Sequence, residues 1–212
     1  MTYGQPVPTP GGTGYPVNVG VTGERTLSRW WGIPFVGNLV RGILAIPHYV
    51  VLLVLVVGLY VWVFVGWIPI LRYGRVPGIA VKFLTEYLHR GLRVQAYVGL
   101  LMPGGYPPLE PGMPIPVDLR INLDSLEINR WWGIPLLGIA VRVILVIPHL
   151  IVLSILGLGL GLSLLVLWIP ILVNGRYPDR AALFYESVMR YGVRVAAYVL
   201  LLPVPYPPFS MS

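Results

Sequence analysis

Two histidines are the residues of this chain best suited to chemistry. His48 and His149 each follow an Ile-Pro pair, in "AIPH" and "VIPH", at the start of a long apolar run. An imidazole at a membrane surface can bind haem or a pigment, donate to a lipid phosphate, or pair with a carbonyl that the proline leaves without its donor. Neither stretch holds a second histidine at helical spacing. We therefore favour the carbonyl as partner, and haem or pigment binding is the alternative.

Six arginines recur near these histidines and near two tyrosines, Tyr97 and Tyr198. The net charge of +7 and the pI of about 9.9 favour attraction to acidic lipids, so these residues are candidate headgroup contacts. The alternative is that they snorkel to the interface or pair with Glu86 and Glu186. The basic residues are scattered between apolar segments, which argues against nucleic-acid binding. The six are Arg41, Arg75, Arg93, Arg142, Arg176 and Arg194.

Catalytic groups are scarce. The apolar runs hold no carboxylate, and the acidic residues elsewhere form no pair, metal cluster, nucleophile elbow or phosphate loop that we recognise. The chain has no cysteine, which excludes disulfides and thiolate metal sites. The same lack of intramembrane charge argues against a proton-coupled transporter. We predict a protein that is not an enzyme and that has no assured cofactor.

Composition indicates an integral membrane protein. Hydrophobic residues make up 56% of the chain, charged residues only 11%, and the mean hydropathy is +0.77. Residues 49–71 and 150–172 carry no charge, and each run exceeds the roughly 20 residues that cross about 30 Å of hydrocarbon. Two crossings are predicted, with Trp67 and Trp168 as aromatic anchors near their far ends.

The chain aligns with itself after a shift of 101 residues, which places Arg29 on Arg130 in two copies of "RWWGIP". The register continues without a gap as far as Tyr97 and Tyr198. This periodicity predicts one module fused to its own copy. The predicted units are a flexible tail (1–14), membrane repeat 1 (15–110) and membrane repeat 2 (111–212).

Each repeat is predicted to hold four elements in an all-α membrane fold. A short extended strand, "VNVGV" or "VDLRINL", comes first, and an interfacial helix follows over 35–46 or 136–147. Pro47 or Pro148 then ends or kinks this helix where the transmembrane helix begins. Last comes an amphipathic helix after Pro77 or Pro178, whose stripe of charges predicts that it lies on the membrane surface.

Two topologies are compatible with this order. One crossing per repeat would invert one copy relative to the other, whereas two would keep the copies parallel. The positive-inside rule does not decide, because residues 72–146 hold eight Lys and Arg and the two ends together hold seven. We favour two spans in total. If the two extended stretches pair in one sheet, however, they must share a side, and that interpretation fails.

Gly157 and Gly161 form a GxxxG motif in the second apolar run. Glycines four residues apart let another helix approach closely, so this pair is a candidate packing site for the other copy, a second protomer or a partner subunit.

The ordered motifs resemble a known group. An arginine before "AIPH", "WIPIL" leading to "GR.P", then "R..AY" and a closing "YPPF" are similar to an uncharacterised bacterial membrane-protein family known as a domain of unknown function. The resemblance covers about residues 15–209, twice over, and implies no reaction or ligand. We therefore expect a multi-pass accessory or structural protein of the bacterial cytoplasmic membrane, with lipids and other subunits or its own copies as partners. The alternatives are lipid or lipophilic-cofactor binding (pigment, haem or quinone) and a small channel or transporter.

Overall fold

The chain is described by a computed structural model over residues 14–21, 25–33, 36–99, 106–109 and 117–211. Apart from Gly14, the predicted tail lies outside these ranges. We call residues 15–110 the first half and 111–212 the second half. The strands and helices are β1 (Val17–Val21), α1 (Val36–Leu44), α2 (Ile46–Val65), α3 (Trp67–Tyr73), α4 (Gly78–Val94), β2 (Val117–Ile121), α5 (Leu137–Asn174) and α6 (Asp179–Val199).

The apolar run of each half forms a long helix, but only the first is divided. In the first half the run breaks at Ala45 and Gly66 into α1, α2 and α3, and Pro47 occupies the first turn of α2. In the second half α5 continues through Pro148 and Pro170. The prediction that the interfacial helix could end at Pro148 is therefore wrong. A proline removes only one backbone donor, and the hydrogen bonds on either side can hold the helix together.

Two stretches, Ile46–Tyr73 and Leu137–Asn174, are long and apolar enough to cross a membrane. Each ends at a glycine in the left-handed region, with φ of 64° at Gly74 and 63° at Gly175. The glycine N–H donates back to Ile70 or Ile171, which closes the last turn and lets the chain reverse. A helical hairpin results in each half.

The returning helices α4 and α6 lie in the centre of the protein, not on its surface as the sequence predicted. Leu84 of α4 and Tyr185 of α6 are fully buried, and α4 and α6 contact each other. The correction has a physical reason. The charged stripe that suggested a water-facing helix is covered by the strands, whose carbonyls accept hydrogen bonds from Arg190 and Arg194.

The two strands pair antiparallel in one sheet, with Val19 opposite Leu119. Paired strands must lie on the same side of the membrane, whereas one crossing per repeat would place them on opposite sides. The observed pairing therefore contradicts the predicted topology of one crossing per repeat. Alternate residues point to opposite faces of a strand. Val17 and Val117 are buried against the helices, whereas the side chains of Asp118 and Arg120 are exposed and paired at 2.8 Å.

Each half also closes over the end of the other half's long helix. Leu27 donates its N–H to the carbonyl of Gly175, and Ile128 donates to Gly74, both at 2.9 Å. Beside these bonds the "RWWG" turns, Arg29–Gly32 and Arg130–Gly133, pack on the ends of α5 and α3 respectively. The glycine of each turn is required, because a Cβ there would lie 2.6 or 2.5 Å from the neighbouring backbone nitrogen.

Candidate functional site

An apolar stripe runs along the exposed side of α2. Its residues recur three or four positions apart, so they share one face of the helix. Each is more than half exposed, and none of them carries a polar atom in its side chain. They are Val50, Leu53, Val54, Val57, Val61 and Phe64.

Helix α5 carries a matching stripe over its middle turns. Its members have the same spacing and are also more than half exposed. They are Ile151, Ile155, Leu158, Leu162, Leu165 and Val166. Exposed apolar patches of this size mark membrane or protein contacts. We call the two stripes together the apolar face.

The glycine motif lies on this part of α5. Gly157 and Gly161 are exposed, and a Cβ built at either would meet no described atom within 4 Å. Neither glycine therefore packs against the other half. A contact with lipid or with another chain stays a prediction.

Two arginines are enclosed between aromatic rings. The guanidinium carbon of Arg41 lies 4.7 Å from the centre of the Trp31 ring and 4.9 Å from that of Tyr97. Arg142 lies 4.7 Å from Trp132 and 4.4 Å from Tyr198. Each donates to the main-chain oxygen of its tyrosine. We call these two sites the arginine cages.

The arginine cages tie the end of each returning helix to the start of its long helix. Both arginines are only 2% exposed, so their charge is stabilised by ring faces and carbonyl dipoles rather than by water. The sequence identified the arginine and the tyrosine, but it assigned them to lipid contact. It did not name Trp31 and Trp132 as candidates, although a tryptophan pair is repeated in both copies of "RWWGIP". In the structure Trp30 and Trp131 are more than 70% exposed and their neighbours turn inward.

The histidines are buried, and neither is seen to pair with a carbonyl freed by its proline. The Nδ1 atom of His149 lies 2.6 Å from the hydroxyl of Tyr191, and its ring stacks on Phe209 with centres 3.9 Å apart. The ring of His48 lies 5.0 Å from Tyr106. In the described part of the chain the Nε2 atom of either histidine has no hydrogen-bond partner. Binding of a pigment or haem to them stays a prediction.

A charged layer lies between α6 and the sheet. Arg194 is fully buried and donates to the carbonyl of Val17 and to Asn18 at 3.0 Å. Arg190 donates to Val19 and pairs with Glu186 at 2.6 Å. Burial raises the pKa of the Glu186 carboxyl and lowers that of the Arg194 guanidinium. These groups hold the sheet on the helices, and a headgroup contact of Arg194 stays a prediction.

Arg93 is also buried under the sheet, so of the six arginines only Arg75 and Arg176 are exposed. Arg75 pairs with Glu127 at 3.0 Å beside a cavity of about 600 Å³. That cavity is lined by Pro69, Tyr73, Arg75, Val76, Pro77, Gly78, Ser125, Leu126 and Glu127.

The tryptophans of "WIPIL" lie at the far ends of the two long helices. Trp67 is half-buried and donates its Nε1–H to the carbonyl of Phe64 at 2.8 Å, and Trp168 is also half-buried. Their predicted role as membrane anchors requires only that part of each ring is accessible. No group of three or more His, Asp or Glu side chains that could hold a metal occurs within the described residues.

Residues 137–211 match the family model described as a domain of unknown function (DUF4389). The matched segment begins with α5 and includes α6 and the closing residues to Met211. It supports the expected resemblance to an uncharacterised family for the second half of the chain. No curated protein and no solved structure matches the chain.

Proposed function

We propose that this is a non-catalytic membrane protein that is held in the bilayer by its apolar face and serves as an accessory subunit or a self-associating scaffold. The observation that carries the proposal is the apolar face itself. Transfer of its half-exposed side chains from water to hydrocarbon is worth about 1 kcal/mol each, or on the order of 10 kcal/mol together. A water-exposed surface of this kind would aggregate.

The ends of the two stripes support lipid as the occupant. Trp30 and Trp131 are the most exposed tryptophans of the described chain, and Arg29 and Arg130 beside them are exposed as well. Aromatic and basic residues at the rim of an apolar surface are typical of a membrane interface. The proposal includes the bacterial cytoplasmic membrane as the location.

Membrane attachment is tested by extraction of membranes with alkaline carbonate. We expect the protein to remain in the pellet and the double variant Leu53→Lys and Leu158→Lys to be released, because two charges on the apolar face oppose insertion. The matched control adds the same two charges on the sheet, with Gly20→Lys and Asn122→Lys, and should stay bound. Release of the unaltered protein would contradict the proposal.

The accessory role is tested by purification in a mild detergent. We expect a stoichiometric partner or a homo-oligomer, which the variant Gly157→Leu with Gly161→Leu weakens by blocking close helix approach. Gly159→Leu, on the opposite side of the same helix turns, is the control. A lone monomer with no bound species would refute the accessory role without affecting the membrane attachment.

A further inference from the structure

The paired strands define a local twofold axis. They run in opposite directions, yet both point their small apolar residues to the same side, where Val17, Val19, Val117 and Leu119 are buried. Only a rotation about an axis perpendicular to the sheet exchanges two such strands. The axis passes between Val19 and Leu119.

Contacts far from the sheet obey the same exchange. The bond from Leu27 to Gly175 has its counterpart from Ile128 to Gly74. The close approach of Gly32 to Leu172 corresponds to that of Gly133 to Leu71. We call the region around residues 25–32 and 171–177 the first end, and the region around 70–76 and 126–133 the second end. The axis exchanges these two ends, so both lie at the same level relative to the sheet.

Each long helix runs from one end to the other. The first begins beyond the turn Arg29–Gly32 and finishes at the second end, and α5 runs the opposite way. Because the two ends lie at the same height along the twofold axis, each long helix begins and finishes at the same distance from the plane of the sheet. Both therefore run parallel to the plane of the sheet.

The long helices lie on the side away from the sheet. On α6, Glu186, Arg190 and Arg194 share the stripe beneath the strands. Tyr185 and Gly192 contact Ser163 and Leu153 of α5. At about 100° per residue these two sets are roughly half a turn apart. The layers are thus the sheet, then α4 with α6, then α2 with α5, whose apolar face is outermost.

If these helices crossed the bilayer, the sheet would lie in hydrocarbon and not in water. The two ends would lie at opposite membrane surfaces, and the sheet, midway between them, would lie at the centre of the hydrocarbon. The side chains of Asp118 and Arg120 are 44% and 59% exposed there. A two-stranded sheet also has two open edges, which do not occur facing lipid because each unpaired backbone group costs several kcal/mol.

We infer that α2 and α5 lie parallel to the membrane plane in a single leaflet, with the sheet and both ends on the same aqueous side. In this orientation the apolar face meets acyl chains and the charged sheet meets water. The occupant of the apolar face is the hydrocarbon of one leaflet. The inference rests on the proposed membrane function, which it deepens.

The absence of cysteine allows a direct test with single-cysteine variants of the full chain. Asp124→Cys lies near the second end, Asn174→Cys near the first end, and Asp118→Cys on the sheet, and all three positions are exposed. Each variant is treated with a membrane-impermeant maleimide in right-side-out and in inside-out vesicles. We expect all three to react in the same preparation and to be protected in the other.

Reaction of Asp124→Cys and Asn174→Cys in opposite preparations would overturn the inference, since it requires a crossing between them. A protein missing from the vesicles would instead contradict the proposed function, so the two failures are distinguishable. Detergent-opened vesicles, in which all three variants should react, show that each thiol is accessible.

A depth measurement provides a second test that does not depend on vesicle orientation. Val50→Cys, Val57→Cys and Phe64→Cys occupy one stripe of α2 at steps of seven residues, or about 10 Å. With a fluorophore on each thiol and quenchers at graded depths in the lipid, we expect the three depths to agree within a few Å. A crossing helix would place Val57 about 10 Å deeper than the other two, and that result would overturn the inference. Gly20→Cys on the sheet should remain unquenched at every depth.

Discussion

The equivalent histidines of the two halves, His48 and His149, have different neighbouring side chains. In the second half His149 is fully buried, stacked on Phe209 and paired with Tyr191. The residues that correspond to these two in the first half are Leu109 and Arg90, and there Arg90 donates to the carbonyl of Leu109. His48 has only the tilted ring of Tyr106 among the ring contacts seen. The position after the repeated proline therefore accepts a histidine with or without a stacked aromatic ring.

The charged layer under the sheet differs in a similar way. The ion pair of α6 joins Glu186 to Arg190, whereas that of α4 joins Glu86 to Arg90, one position further along the aligned chain. One position is about 100° around a helix. His89 thus occupies the place of Arg190, close to the backbone of Val117. What both halves share is a polar side chain placed next to a strand backbone.

The largest expected effect tests what the halves have in common. Arg142→Ala and Arg41→Ala should each lower the free energy of unfolding by about 3 kcal/mol, because a buried arginine loses its ring contacts and leaves a carbonyl unpaired. Thermal unfolding in detergent, followed by tryptophan fluorescence, measures the loss. Arg75→Ala, which breaks an exposed pair, should cost about 0.5 kcal/mol. Equal losses at all three positions would show that an arginine cage stabilises the fold no more than the exposed ion pair does.

The next effect should separate the halves. His149→Ala removes a stacked ring and a hydrogen bond, and we expect a loss of about 2 to 3 kcal/mol. His48→Ala removes fewer contacts and should cost about 1 kcal/mol. The same unfolding assay compares them. Equal destabilisation of the two variants would show that the aromatic contacts of His149 add no stability beyond those of His48.

The break in the first long helix offers an intermediate effect. A Cβ at Gly66 would lie 2.6 Å from the carbonyl oxygen of Trp62 and 2.7 Å from its ring. The corresponding residues of the second half are Leu167 and Ser163. Gly66→Leu should therefore cost about 1 to 3 kcal/mol by overpacking. Adding Trp62→Ser removes the contact with the ring but not the one with the carbonyl oxygen, and should recover part of that loss. A double-mutant cycle measures the coupling, and simple additivity would mean that the Trp62 ring does not cause the break.

The smallest effect is the contribution of His89, in the first half, to the pH dependence of stability. Burial lowers the pKa of His89 below its ordinary value near 6.5, and Arg93 lowers it further while Glu86 and Asp118 oppose the shift. The unfolded chain then takes up the proton first, so stability is lost as the pH falls below about 6.5 and levels off below the folded pKa. His89→Gln should show a shallower fall than the unaltered protein in unfolding scans. An identical pH profile would exclude His89 as the source.

The sequence predicted the local features that depend on neighbouring residues. Both strands follow from alternation, and the two long apolar stretches follow from uncharged length. The returning helices were recognised as helices but placed wrongly. The sequence pattern of a charged stripe is the same whether water or a strand covers that side of the helix. Only the tertiary structure shows which of the two covers it.

The candidate sites divide along the same line. Arg41 with Tyr97 and Arg142 with Tyr198 stood out by residue type and repetition, but whether such a guanidinium faces lipid or an aromatic cage depends on Trp31 and its counterpart, which approach from another element. Local sequence determined the two apolar stretches that are long enough to cross a membrane. The antiparallel pairing of strands 100 residues apart decided how the long helices are oriented relative to the sheet. A symmetry axis exists only once two distant segments meet.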